Sequence, residues 1–359
     1  MNKSKDKLNN IRILIIGSGI IGKFNALELS KFGFDITIVD DNEINNSSNA
    51  ALGIIMNKIY QKRKGRSWIL RQKSFKLWPK WIKLLKKYNS KLNLERPLFQ
   101  LTTDYKKFEK LINFADNYPQ DDFEIVHKNS VLLTPVNKLF KGNQLKGLIS
   151  HQDGRVDPKI LMETLNTYIK KQKIKTINDH VLQIKRLNKC WSTKLKSGKD
   201  LLNEIVILCN SLESIKLINP EIYGIKLKPV LGQAIEITSK ENTIDFLSLP
   251  KILNINGKNL IPISKDKIII GSTDEYDCKT NENRIDDLIN FLEETPYWLN
   301  KNKISRKWFG IRSKPEGEPS PIMKSLDNGL ILCSGFYKNG ILLAPACSNW
   351  ISEEIKKHI

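Results

Sequence analysis

The chain has 359 residues, 40% hydrophobic and 27% charged, enough to bury a core in one large or two interleaved domains and unlike a disordered or membrane-embedded chain. Its net charge of +21 would suit an anionic partner, but only ten of the 59 basic residues are Arg, and Lys, Asn and Ile are over-used throughout, as in proteins from AT-rich genomes. The basic residues are spread out, and the denser stretches Lys58–Arg71 and Lys76–Lys87 read as solvated helix faces, so nucleic acid is not an expected partner.

The leader Met1–Asn10 is polar and does not read as a secretory signal. Ile11–Ile16 is a β-branched run of the kind buried on both faces, and its apolar stretch is far too short to span a bilayer. It enters Gly17-Ser18-Gly19-Ile20-Ile21-Gly22. A helical pattern follows through Phe24, Leu27, Glu28 and Phe32, with Gly33 at the C-cap position. Phe34–Val39 alternates as a strand and ends at Asp40.

Ser67–Lys87 predicts a long amphipathic helix, with Pro79 as a kink and Trp68, Trp78 and Trp81 on an apolar face. Asp157-Pro158 opens another helix as N-cap and first helical residue. Glu204–Leu208 reads as a buried strand, and Gln233–Thr273 as short strands with turns, including Lys267–Ser272. Ile285, Leu288, Ile289 and Leu292 predict an amphipathic helix. Gly329–Ser334 is the last strand, followed by a turn between Gly335 and Gly340 and a C-terminal helix.

The expected fold is α/β: a discontinuous Rossmann-type domain (10–75, 148–230 and 310–359) with an inserted α+β substrate domain (76–147 and 231–309) that contains a mixed or antiparallel sheet. Cys190, Cys209, Cys278, Cys333 and Cys347 are odd in number and lack C-x-x-C spacing, which points to free thiols in a reducing, cytoplasmic setting. The four scattered His suggest no metal site.

The glycine motif lies between a strand and a helix, and an acid ends the next strand. Gly17 permits the tight turn, Gly19 lets a pyrophosphate approach the backbone, and Gly22 lets the helix pack on the strand. The helix N-terminus favours the phosphates, and Asp40, with Asp41 beside it, is placed for a ribose diol. These local features do not separate FAD from NAD.

Further motifs resemble the FAD-dependent D-amino-acid oxidase superfamily, and most closely the glycine oxidases of thiamine biosynthesis. They are the small-residue segment Ser47-Ser48-Asn49-Ala50-Ala51-Leu52-Gly53, the helix start His151–Pro158, Pro229-Val230-Leu231-Gly232-Gln233, and Ile268–Thr273. Phe309-Gly310-Ile311-Arg312 resembles "G-L-R-P", and Gly335–Pro345 resembles "G-H-Y-R-N-G-I-L-L-A-P". The likeness runs from Ile11 to the C-terminus in the family's order, with Asn89–Leu148 matching poorly.

The resemblance implies FAD as cofactor. It implies contacts through Gly17–Gly22, Asp40, Asp41, Ser47–Ala50, a backbone contact at Val181, Asn210, Gly335, and the turn Lys338-Asn339-Gly340-Ile341-Leu342 facing the flavin ring. Arg312 would pair with the substrate carboxylate, a role suited to a planar fork that stays charged. The implied reaction is oxidation of a small amino acid's amine to an imine, with oxygen or another acceptor taking the electrons. No membrane partner is implied, and a homo-oligomer is left open.

The sequence also departs from the family. Lys338 stands for Arg, Phe336 for His, Ser313 for Pro, and Asn259 for the tyrosine that often closes the pocket; Cys209-Asn210-Ser211 replaces the small turn beside FAD. Arg312, Lys338 and Asn259 are therefore the candidate catalytic residues. Two alternatives stay open: modification of a tRNA wobble uridine on the same fold, and a flavin-binding protein with degraded catalysis.

Overall fold

The computed structural model describes residues 11–42, 47–241 and 243–357; the leader Met1–Asn10 lies outside them. Arg12–Ile16 is the strand that its β-branched run predicts. Side chains alternate across a sheet. Ile13 and Ile15 accordingly enter one apolar cluster, and Leu14 and Ile16 enter the cluster on the opposite face. This strand sits inside a six-stranded sheet ordered Ile322–Asp327, Leu330–Ser334, Ile205–Leu208, Arg12–Ile16, Asp35–Asp40, Lys175–Asn178. All pairs are parallel except the one at the Ile322–Asp327 edge.

Helices cover one face, through Phe24 and Leu27, Trp78 and Trp81, Leu161 and Leu165, and Leu343 and Ile351. An antiparallel sheet of Val181–Leu187, Cys190–Leu195 and Asp200–Asn203 covers the other with Trp191 and Leu195. Sequence signals set the helix ends. Gly33, at φ 83°, stops the 3-10 turn after Ile20–Leu29. Asp157 caps Pro158–Lys171 by accepting from the Lys159 and Ile160 amides at 2.9 and 3.2 Å. Helix Gly65–Leu85 continues through Pro79, which is exposed.

The second body is an eight-stranded mixed sheet: Ile304–Pro315, Leu227–Thr238, Lys267–Gly271, Lys258–Pro262, Ile252–Ile255, Leu98–Thr102, Lys146–Ser150, Phe123–Val126. Only its Ile252–Ile255 and Leu98–Thr102 pair is parallel. Its core gathers around Trp298, whose ring meets Phe140 and Phe246 edge-on at 5.4 and 5.0 Å. The poorly matching region 89–148 supplies three of these strands and the helix Tyr105–Asp116, capped by Asp104.

Leu227–Thr238 and Ile304–Pro315 are 12-residue strands paired from Leu227↔Pro315 to Ile237↔Ile304, and they span positions 230/231 and 309/310. One expectation changes here. The expected helix around Ile285–Leu292 shrinks to a 3-10 turn, Glu282–Ile285, and one α-turn, Asp286–Ile289. Asn256 donates to the Phe291 carbonyl at 3.0 Å, and Asn143 holds both backbone groups of Glu294. These side chains take over backbone groups that a longer helix would have paired internally.

Candidate functional site

A cavity of about 1400 Å³ opens where the parallel strands end, at Ile16, Val39, Cys209 and Cys333, and runs against the second sheet at Gly232 and Phe309–Ser313. Open α/β sheets place ligands in this crevice beyond the carboxyl ends of their strands.

The glycine loop forms one part of the wall through Gly17, Gly19, Ile20 and Ile21. Gly17 has φ 104°, and a Cβ there would lie 2.8 Å from Asn210 N and from the Cys209 carbonyl. A Cβ on Gly22 would lie 1.9 Å from the Gly17 carbonyl oxygen, so Gly22 shapes the loop from behind the wall. The N-cap residue of helix Ile20–Leu29 is Gly19, which has no side chain to cap it, and no acid stands in its first turn, which leaves a positive helix end facing the cavity. Ser48 accepts one of its amides, from Ile20, at 3.0 Å.

Asp40, Asp41 and Val181 line the adjoining stretch. Asp40 closes the loop by accepting from Ser18 N at 2.5 Å and Asn42 N at 2.7 Å. His180 Nδ1 lies 2.7 Å from Asp41 Oδ2. Behind Ser18, the buried Lys23 ammonium donates to the Ser18 hydroxyl. Burial pushes the Lys23 pKa down against the pull of Asp40.

Ser47, Ser48, Ala50 and Asn210 also reach the wall, as does the turn through Lys338, Asn339, Gly340, Ile341 and Leu342. Ser18, Gly22, Asn49 and Gly335 do not. Gly335 takes φ 69° to turn the chain, and a Cβ there would press on Pro315 at 2.8 Å.

Arg312, Lys338 and Asn259 all line the cavity, and two of them meet on a residue that sequence reasoning missed. Arg312 Nη1 lies 2.9 Å from Asp274 Oδ1, and the Lys338 ammonium donates to Asp274 Oδ2. Arg312 also donates to the Ser272 hydroxyl at 2.6 Å and the Thr273 carbonyl at 3.3 Å. A Cβ on Gly232 would lie 1.9 Å from Arg312 Nη2, so the guanidinium needs a glycine at that place in the Pro229–Gln233 segment.

Tyr337 points its hydroxyl at Asp274 Oδ1, 3.4 Å away. Burial, and then the Asp274 charge, pushes the Tyr337 pKa up. Asn259 stands apart from this cluster, its amide oxygen accepting from Asn254 at 2.9 Å. The loop that carries Asp274 is fixed by Gln233, which donates through its backbone to Thr273 Oγ1 at 2.8 Å and through its side chain to Glu275 at 2.9 Å.

Arg71, on helix Gly65–Leu85, also reaches the wall and was missed. Its guanidinium stacks on Tyr60 at 3.8 Å and donates to Asn339 Oδ1 at 2.6 Å. A signal for it existed: Arg71 falls on the same helix stripe as the buried Ser74, Trp78, Ile82 and Leu85. Asp274 gave no such signal, because it sits in an aperiodic polar turn. Among the described residues no group of His, Cys, Asp or Glu could hold a metal ion, and no helix is long and apolar enough to cross a membrane.

A family model described as FAD dependent oxidoreductase matches residues 12–354. Glycine oxidase of Pseudomonas putida is 33% identical over 124 residues, so the match spans about a third of that relative's length (33% of each chain). Among solved structures, glycine oxidase from Bacillus cereus has a TM-score of 0.81 at 18% identity, with 98% of this chain and 96% of the other covered. Iminodiacetate oxidase from a Chelativorans species has a TM-score of 0.81 at 15% identity, with 97% and 96% covered. Equal scores for enzymes named after different substrates establish the fold and leave the substrate to individual side chains.

Proposed function

This chain belongs to the family of FAD dependent oxidoreductases, and on that premise we propose that it oxidises the amine of a small amino acid to an imine. The cavity fits the cofactor of that family. Gly17 and Gly22 stand where any Cβ would strike backbone, and the helix end at Ile20, where Ser48 accepts the first amide and no acid stands in the first turn, would receive the pyrophosphate. Asp40 would hold the ribose while it ties Ser18 and Asn42. Backbone groups of Val181, Asn210 and the Lys338–Leu342 turn would complete the cradle, with Ser47–Ala50 beside it. Bound there, FAD supplies the two-electron oxidation of the substrate C–N bond.

The observation that carries the substrate class is the convergence of Arg312, Lys338 and Tyr337 on one carboxylate, that of Asp274. Such a donor set is built for carboxylates. A substrate carboxylate held by the same cations would fix the α-carbon in position, which alone accounts for much of a rate enhancement. Among the described residues, the carboxylate that meets Arg312 is already engaged by cations, in keeping with residues that orient rather than deprotonate. Oxygen or another acceptor takes the electrons. The imine hydrolyses to a keto acid and ammonia, or feeds thiazole formation for thiamine, the role of the glycine oxidases that Gly335–Pro345 resembles. The division into a flavin domain and a substrate domain belongs to the same reading. The test is anaerobic addition of glycine, sarcosine or D-alanine to the purified yellow protein. Bleaching by one of them is expected, and no bleaching by any would remove the proposal.

One observation favours a second reading, in which the amine belongs to a modified tRNA wobble uridine. Lys228 and Lys314 stand 5.5 and 4.9 Å from the ring of the exposed Tyr276, so basic and aromatic side chains alternate beside Tyr337. Salt-dependent tRNA binding would support it, and binding too weak to show a salt slope would dismiss it.

A further inference from the structure

Asp274 lies just behind the cavity wall, where it joins two residues that do line it, Arg312 and Lys338. Its carboxylate is one-third exposed, against 13% for the Arg312 side chain, and it engages Arg312 through one oxygen and Lys338 through the other. The Tyr337 hydroxyl leans on the first oxygen. Arg312 and Lys338 with no acid between them would present a double positive charge and enough donors for two carboxylates. With Asp274 in place, one positive charge remains, and part of the Arg312 fork is already spent on Asp274, Thr273 and Ser272.

The acid is held there by construction. Its neighbour Glu275 is buried, accepts from Gln233 Nε2 and from the Asn281 amide at 3.2 Å, and pairs through its backbone with Leu231 in both directions at 2.8 and 2.9 Å. The backbone of the turn is thus locked to the strand that pairs with Arg312's, which holds the Asp274 Cα in place beside the two cations.

We propose that Asp274 is a specificity-determining residue, an internal carboxylate that takes the donors a second substrate carboxylate would need and so restricts the site to amines bearing one carboxylate. The inference rests on the amino-acid reading given above. It predicts that the holoenzyme binds a monocarboxylate at least as tightly as a dicarboxylate, and that removal of the Asp274 charge reverses the order.

The experiment titrates FAD-loaded protein with acetate and with malonate, neither of which is oxidised, and follows the flavin absorption spectrum. In Asp274→Asn, malonate should bind about tenfold or more tighter than in the unmodified protein, the size expected from freeing one charge-assisted hydrogen bond. Acetate should gain less, and Asp274→Glu should keep the original order. An unchanged malonate-to-acetate ratio in a folded, FAD-loaded Asp274→Asn protein overturns the proposal. Tighter binding of malonate than acetate by the unmodified protein also overturns it, and that arm does not depend on any variant folding. The two readings separate. If acetate binds but the ratio does not move, Asp274 loses its role and the amino-acid reading stands. If acetate fails to bind the unmodified protein while malonate gains in Asp274→Asn, the amino-acid reading falls and the role of Asp274 stands.

Discussion

Arg71 Nη2 lies 2.6 Å from Asn339 Oδ1, a single bond that ties helix Gly65–Leu85 to the turn preceding the C-terminal helix. The same guanidinium donates to the Met56 carbonyl, so it joins three segments that meet on the cavity wall. Burial pushes its pKa down, with Tyr60 and Asp153 opposing, but an Arg stays charged in any protein setting. A desolvated cation with several partners stabilises the arrangement around it and is costly to truncate.

Replacement of Arg71 by Leu is therefore expected to leave Asn339 Oδ1 and the Met56 carbonyl short of donors and to destabilise the protein by about 3 kcal/mol. Arg71→Lys should lose less, because one ammonium still reaches one partner although it cannot stack on Tyr60 as a planar fork does. Urea unfolding at constant slope measures the first effect. The flavin-to-protein ratio measures whether the Lys338–Leu342 turn still holds its shape. A Leu variant as stable as the parent would show that the bond to Asn339 is incidental.

Lys23 gives a prediction with a defined sign. Its ammonium is buried behind the glycine loop, and desolvation lowers its pKa below 10.5. Below the folded pKa both folded and unfolded chains carry the proton, and the buried charge weighs fully against folding. Between the folded pKa and 10.5 the unfolded chain binds more protons, so stability must rise with pH through that window. Lys23→Met keeps most of the volume and removes the charge. The difference in unfolding free energy between the two proteins should shrink as pH rises toward 10.5. A difference that stays flat with pH would mean that Lys23 is better solvated than its place behind Ser18 implies.

The parts of the fold that were legible in sequence are those set by short-range chemistry. The β-branched run before Gly17, the acid ending the next strand and the Asp157-Pro158 helix start each declare themselves within a few residues. Arg312 was legible only through resemblance, and its partner was not legible at all. Asp274 meets Arg312 across 38 residues and Lys338 across 64, and no local pattern encodes that pairing. Short strands were expected from Gln233 onward, but the strand there is long and starts at Leu227. It forms because Ile304–Pro315 pairs with it along its whole length. The Ile285–Leu292 pattern failed for the opposite reason: its apolar spacing is helical, but Asn256 and Asn143 capture the backbone from neighbouring loops.

Gly22 and Gly340 separate two reasons for a glycine. An Ala at position 22 would place Cβ 1.9 Å from the Gly17 carbonyl oxygen, so the protein itself forbids it. Gly22→Ala should destabilise the protein by about 2–4 kcal/mol even without cofactor, since backbone cannot yield as a side chain can. At position 340 the nearest neighbours of an added Cβ are Ile20 Cγ2 at 3.6 Å and Phe336 Cβ at 3.9 Å, which is ordinary contact. Gly340 also opens the helix Gly340–Lys356, where Ala is the better helix former by up to about 1 kcal/mol. Gly340→Ala should therefore leave the cofactor-free protein as stable as before, or slightly more stable. Any loss in that variant must come from a ligand that needs the bare backbone. If the turn faces the flavin, FAD affinity measured by fluorescence titration of the apoprotein should fall about tenfold or more, the cost of a displaced close contact. Unchanged FAD affinity in Gly340→Ala would remove this turn from the flavin contacts and require that the ring be held elsewhere on the cavity wall.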